Sequence, residues 1–193
     1  MTDSAVLLGL LPVLALAFYL LRRKAGFAAQ RPEHYDATEP PFDLRRHLSG
    51  PIDCEGMIYG PLGRVTSRFE ARMEGHWDGA TGRLAEHFFY SSGTRQDREW
   101  HLKMGNDGTF TATAADVIGE AQGVVSGATV RMTCRIRLPD EAGGHVLNVT
   151  DWLYLTEGGV ILNRSEMRKF GIKVAELIAT MRPSAQEELR AAE

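Results

Sequence analysis

The chain has 193 residues, with 22 Lys and Arg against 25 Asp and Glu, for a formal net charge of -3. A hydrophobic fraction of 44% with 24% charged residues is globular, which excludes wholesale disorder. The charge balance leaves no basic footprint for nucleic acid. Two cysteines, Cys54 and Cys134, are too few for a disulfide scaffold or a cysteine-only zinc site.

From Ala5 to Leu21 runs AVLLGLLPVLALAFYLL, an uncharged stretch at the short end of the range for a membrane-spanning helix. Arg22, Arg23 and Lys24 follow at once, whereas a cleaved secretory signal puts its positive charge before the apolar run. Residues 1–24 are therefore predicted to be a single uncleaved transmembrane anchor. The positive-inside rule places its basic flank, with Arg31, on the cytoplasmic side. Pro32, Pro40 and Pro41 mark 25–41 as a linker. The first 40 residues hold four basic side chains (Arg22, Arg23, Lys24, Arg31) and four acidic ones (Asp3, Glu33, Asp36, Glu39), so the remainder keeps the -3 charge.

After Phe42 the pattern is period-two alternation broken by turn signals, the mark of an antiparallel all-β fold. Strands are predicted near 52–59, 64–76, 83–91, 97–104, 109–116, 119–125, 128–138, 145–155 and 159–167. Asp78-Gly79 and Asn106-Asp107-Gly108 supply the positive φ that tight hairpins need. Val174, Leu177, Ile178 and Met181 fall at i, i+3, i+4, i+7 and predict a C-terminal helix that Pro183 stops. The fold expected is all-β: a lipocalin-like, antiparallel up-and-down barrel of eight or nine strands with a C-terminal helix. It occupies 42–182, and a polar tail follows over 183–193.

Alternation assigns an apolar, inward face to Phe69, Ala71 and Met73, to Leu84 and Phe88, to Trp100 and Leu102, and to Val130, Met132, Cys134 and Ile136. Glu86, Tyr90, Arg98, Asp116 and Asp151 share that parity. Buried charges are costly unless paired, so these residues form either a structural ion-pair network or the polar end of a ligand pocket. In the pocket reading, Phe69, Phe88, Tyr90, Arg98, Trp100 and Met132 bind the ligand. A catalytic reading draws on Glu86, Asp116, Asp151 and Arg164 as acid/base or charge-stabilising groups. No phosphate loop, dinucleotide fingerprint, nucleophile elbow or zinc-protease motif is present, so no cofactor and no metal is expected. His87 and His101 fall on the outward parity.

Several separated motifs are similar to one bacterial family. They are Phe42-Asp43, the stretch Val65 to Phe69, Trp77, Tyr90 to Arg98, Trp100, and the block Asp116 to Gly123. Asp151-Trp152 and the run Asn163-Arg164-Ser165-Glu166-Met167-Arg168-Lys169-Phe170-Gly171 complete the set. The chain thus resembles, over roughly Phe42 to Ile178, the domain of unknown function numbered 3833. The resemblance implies a lipocalin-like barrel, an envelope setting, and a neighbourhood of fatty-acid-modifying enzymes, hence a fatty-acyl chain or other lipid as partner. It supplies no catalytic residues. The chain departs from the family's lipoprotein pattern in having a spanning segment and no acylated cysteine.

Three functions follow as expectations. The first is a single-pass, inner-membrane binding barrel that assists membrane fatty-acid modification. The second is an enzyme of unusual fatty-acid synthesis, such as furan or cyclopropane types, acting on a chain in the barrel. The third is a structural or assembly protein whose barrel is filled by its own side chains.

Overall fold

The computed structural model describes residues 25–184 together with Pro12, Val13, Leu16, Ala17 and Tyr19. Most of the predicted anchor and the tail from 185 onward lie outside the described residues. The five described positions before Arg22 are helical. Among the described residues no helix is long and apolar enough to cross a membrane.

Ten strands form one closed antiparallel barrel. They are β1 (Gly50–Tyr59), β2 (Val65–Asp78), β3 (Thr81–Tyr90), β4 (Arg95–Met104), β5 (Thr109–Thr113), β6 (Ala121–Ser126), β7 (Thr129–Arg137), β8 (Val146–Leu155), β9 (Ile161–Lys169) and β10 (Ile172–Pro183). Each pairs with its neighbour in sequence, and β10 closes the ring on β1 from Ile52↔Pro183 to Tyr59↔Glu176.

Two expectations are corrected here. The strand count is ten rather than eight or nine, and the C-terminal helix is a strand. A bulge between Lys173 and Ala175 breaks the alternation early in β10, so Val174 turns toward the apolar side. Beyond it Leu177, Ala179 and Met181 face the interior while Ile178 is 43% exposed. Strand pairing wins over helical periodicity because β1 would otherwise carry an unpaired edge, and closure satisfies the backbone of both strands.

One end of the barrel is plugged from the N-terminal side. Helix α1 (Leu44–His47) is capped by Asp43, whose side chain accepts from Arg45 N at 3.0 Å. Leu44 and Leu48 bury themselves in the barrel core, and Trp77 Nε1 donates to Leu48 O at 2.9 Å. This approach passes directly over Gly75, where a Cβ would collide with the Leu48 carbonyl.

The stretch read as a linker is packed along the outside of β6, β7 and β8. Phe42 N donates to Gly127 O at 2.8 Å, Ala128 N to Thr38 Oγ1 at 2.9 Å, and the Ser126 hydroxyl to Pro32 O at 2.6 Å. Tyr35 lies edge-on to Trp152 at 5.3 Å, and Tyr154 stacks on Trp152 at 5.9 Å. These contacts bury Trp152 although it points outward from the barrel.

Candidate functional site

The barrel interior is apolar at both ends and charged in the middle. Toward α1, the layer is Leu84, Leu102, Phe110 and Val130; toward the opposite rim it is Phe69, Phe88, Ile136 and Val149. Between them, Glu86 on β3 and Arg98 on β4 face each other as cross-strand partners. Asp116 comes from the loop after β5, which the Val117↔Ile136 bridge and the Arg137 N–Asp116 O bond (2.8 Å) pin to β7. Asp151 enters from β8. The parity argument therefore brings its charged residues together.

Their partners differ. Arg98 Nε lies 3.1 Å from Asp116 Oδ1, although the two are not aligned as a hydrogen bond, and its guanidinium carbon sits 4.1 Å from the centre of the Trp100 ring. Asp151 Oδ1 accepts from Ser165 Oγ at 2.5 Å and from Asn163 Nδ2. Glu86 is only 6% exposed, and its Oε2 has no hydrogen-bond partner among the described residues. One guanidinium thus stands among three carboxyls. Burial pushes Glu86 up to about 7; Arg98 opposes this, and Asp151 and Asp116 add to it. Asp151 is also raised by burial, against the bonds from Ser165 and Asn163 and the charge of Arg98.

Two small cavities meet at this layer, about 70 Å³ on the α1 side and about 110 Å³ on the other. Met73, Glu86, Trp100, Met132, Asp151 and Met181 line both. Of the six proposed ligand residues, Phe69, Phe88, Arg98, Trp100 and Met132 reach these cavities. Tyr90 does not. Its ring stacks on Phe88 at 6.1 Å and its hydroxyl donates to Gln96 Oε1 at 3.0 Å, continuing the aromatic group toward the rim.

Arg164 is a correction. It points outward from β9, lies 4.7 Å from the Phe27 ring centre and pairs with Glu176 Oε1 at 2.6 Å, so it cannot act on anything inside the barrel. Its neighbours Asn163 and Ser165 are the inward polar residues that sequence reasoning missed. Their signal was parity with Ile161 and Met167. Cys54 and Cys134 are free thiols on the larger cavity, and burial pushes them up to about 12 and about 11, so neither is a thiolate nucleophile. His87 and His101 lie on the outer face, beside Asp97 at 2.8 Å and Glu99 at 3.1 Å.

A closed, meandering barrel with a polar layer at mid-height defines a lipocalin-like barrel protein. The chain belongs to the family described as Protein of unknown function (DUF3833), which matches it over residues 22–183. Among solved structures it is similar to the S-type phycobiliprotein lyase CPES from Guillardia theta, at TM-score 0.54 and 5% identity over 72% of this chain and 89% of that one. It is also similar to Rv2717c from M. tuberculosis, at TM-score 0.53 and 13% identity over 76% of this chain and 99% of that one. At such identities the likeness is one of fold. A comparison with curated proteins gives no match.

Proposed function

We propose that this protein is a membrane-anchored binding barrel that takes up a fatty-acyl or related lipid chain and assists its modification at the inner membrane, with the barrel on the cytoplasmic side. The observation that carries the reading is Glu86: a buried carboxyl with an oxygen unpartnered among the described residues, set in a cavity that Met, Phe and Trp side chains line beside Arg98 and Asp151. A group left so is costly for stability alone and is supplied when a ligand donates to it. The chain enters in an uncharged or donor-ended form, such as an ester or alcohol. A free carboxylate head would add a fourth acid to a layer holding one guanidinium.

The cavities are smaller than the roughly 300–1,000 Å³ of ordinary ligand pockets. Admission of a chain therefore requires Met73, Met132, Met167 and Met181 to swing aside, a movement that unbranched thioether side chains make readily. The same small volume supports the second reading, a barrel filled by its own side chains.

Native mass spectrometry of the full chain, purified gently from its own cells and paired with lipid extraction, separates the two. The expected result is one stoichiometric acyl lipid, with occupancy falling several-fold in Phe88→Ser while the variant stays folded. A wild-type chain that is empty and ignores added lipids would establish the filled barrel instead.

A further inference from the structure

We propose that the rim opposite α1 is a second lipid-contacting surface, where the tips of two neighbouring hairpins enter the head-group layer of an anionic bilayer. This shares with the reading above only the premise of a nearby membrane; it does not require that the barrel be hollow.

The β9–β10 hairpin turns on two residues, Phe170-Gly171, with φ of 52° and 79°. Two successive positive φ values are the pattern of a type I′ turn, which favours Asn, Asp or Gly at its first position. An aromatic residue there carries backbone strain that an L side chain rarely adopts. Phe170 nonetheless occupies it while 91% exposed, its nearest ring contact being Lys169 Nζ at 5.6 Å from the centroid. Neither backbone nor packing accounts for a phenyl ring at this point, and such an outlier directs attention to function.

The rim repeats the feature beside it. Because β1 pairs with β10 up to Tyr59↔Glu176, the β1–β2 turn stands next to the β9–β10 turn, and Leu62 at its tip is 85% exposed. Ile172 is 69% exposed at the foot of the neighbouring tip. Lys169 and Arg64 flank these side chains; Lys169 Nζ shares a hydrogen bond with His145 Nδ1 at 3.0 Å, and the carboxylates Glu166 and Glu176 are taken up by Arg168, Lys173 and Arg164. Apolar side chains on projecting tips, with cations set just behind them, match a lipid surface: the tips reach the acyl boundary and the cations meet anionic head groups. A protein partner would instead call for a broad flat patch, and a few apolar side chains on two projecting tips do not provide one.

The test places a tryptophan probe at each end of the full chain, reconstituted in phosphatidylglycerol-containing vesicles with brominated phosphatidylcholine. Phe170→Trp is expected to add emission that the bromines quench strongly. Asp107→Trp, at the β4–β5 tip on the α1 end, is expected to add emission that they leave alone. Vesicle flotation runs alongside. A chain that floats with the position-170 probe quenched no more than the position-107 probe overturns the rim contact and leaves the anchor standing. A chain that does not float overturns both. Phe170→Asn supplies the residue the turn prefers and is expected to raise the melting temperature. A lower one would mean that Phe170 serves the fold, which also overturns the proposal.

Discussion

A single absent Cβ sets how closely the N-terminal plug approaches the barrel wall. The Leu48 carbonyl lies over Gly75 and accepts the Trp77 indole at 2.9 Å, so backbone rather than a flexible side chain occupies the space. Gly75→Ala must displace the end of α1, breaking that hydrogen bond and lifting Leu44 and Leu48 from the core. A cost of about 2–4 kcal/mol is expected, in the range of overpacking combined with a lost buried bond. The midpoint of urea unfolding measures it, and a change below about 0.5 kcal/mol, the level of an ordinary surface substitution, would show that the plug is not held as described. The same scale explains what was readable in the site. Glu86, Arg98 and Asp151 announced themselves as charges on an apolar parity. Asn163 and Ser165 did not, because small neutral residues interrupt an inward face without conspicuous charge. Arg164 between them drew attention by its charge while its parity sent it outward.

At the scale of elements, β10 shows why local periodicity misled. Four apolar positions at i, i+3, i+4 and i+7 fit a helix, and the bulge at Lys173/Ala175 hid the alternation that argues for a strand. The decisive partner, β1, lies more than a hundred residues away in sequence and leaves no local trace. A global clue was nonetheless present: a ring in which every neighbour is antiparallel closes only on an even number of strands, so nine predicted strands could not close without one more or one fewer. The two geometries make opposite demands on adjacent residues. A helix buries Leu177 and Ile178 on one face, whereas the strand turns only Leu177 inward. Leu177→Glu is therefore expected to cost upward of about 3 kcal/mol by burying an unpaired charge, and Ile178→Glu less than about 1 kcal/mol. Thermal melts of the two variants check this, and equal losses would contradict the strand. The wrap over residues 25–43 was hidden for a related reason. Its contacts are backbone and hydroxyl bonds to a turn some ninety residues on, which a Pro-rich composition does not reveal.

For the molecule as a whole, the buried acids set how stability depends on pH. Glu86 holds its proton up to about 7 in the folded state, against 4.5 ordinarily. Between those values the folded chain binds a proton that the unfolded chain has released, so stability falls as pH rises through that window and levels off above it. The difference is worth roughly 3 kcal/mol for a group so fully buried. Asp151, also raised, adds a loss of the same sign. Glu176 acts oppositely: burial there is outweighed by Lys173 and Arg164, which hold it below the ordinary range, so its contribution is lost only at acid pH below that window. The groups facing Glu86 from the other strands and the loop after β5 are Arg98, Asp116, Asp151 and Cys54, whose thiol stays neutral throughout the range. The wild-type chain is thus expected to be more stable at pH 5 than at pH 8. Glu86→Gln removes the titrating group but keeps its shape, and should flatten most of the slope and raise stability at pH 8. Chemical denaturation at the two pH values tests both statements. A wild-type profile that rises with pH, or a Gln variant that keeps the slope, would mean that the charge of Glu86 is compensated within the barrel. In that case the mid-height layer would be a finished ion-pair network with no carboxyl left for a ligand to meet.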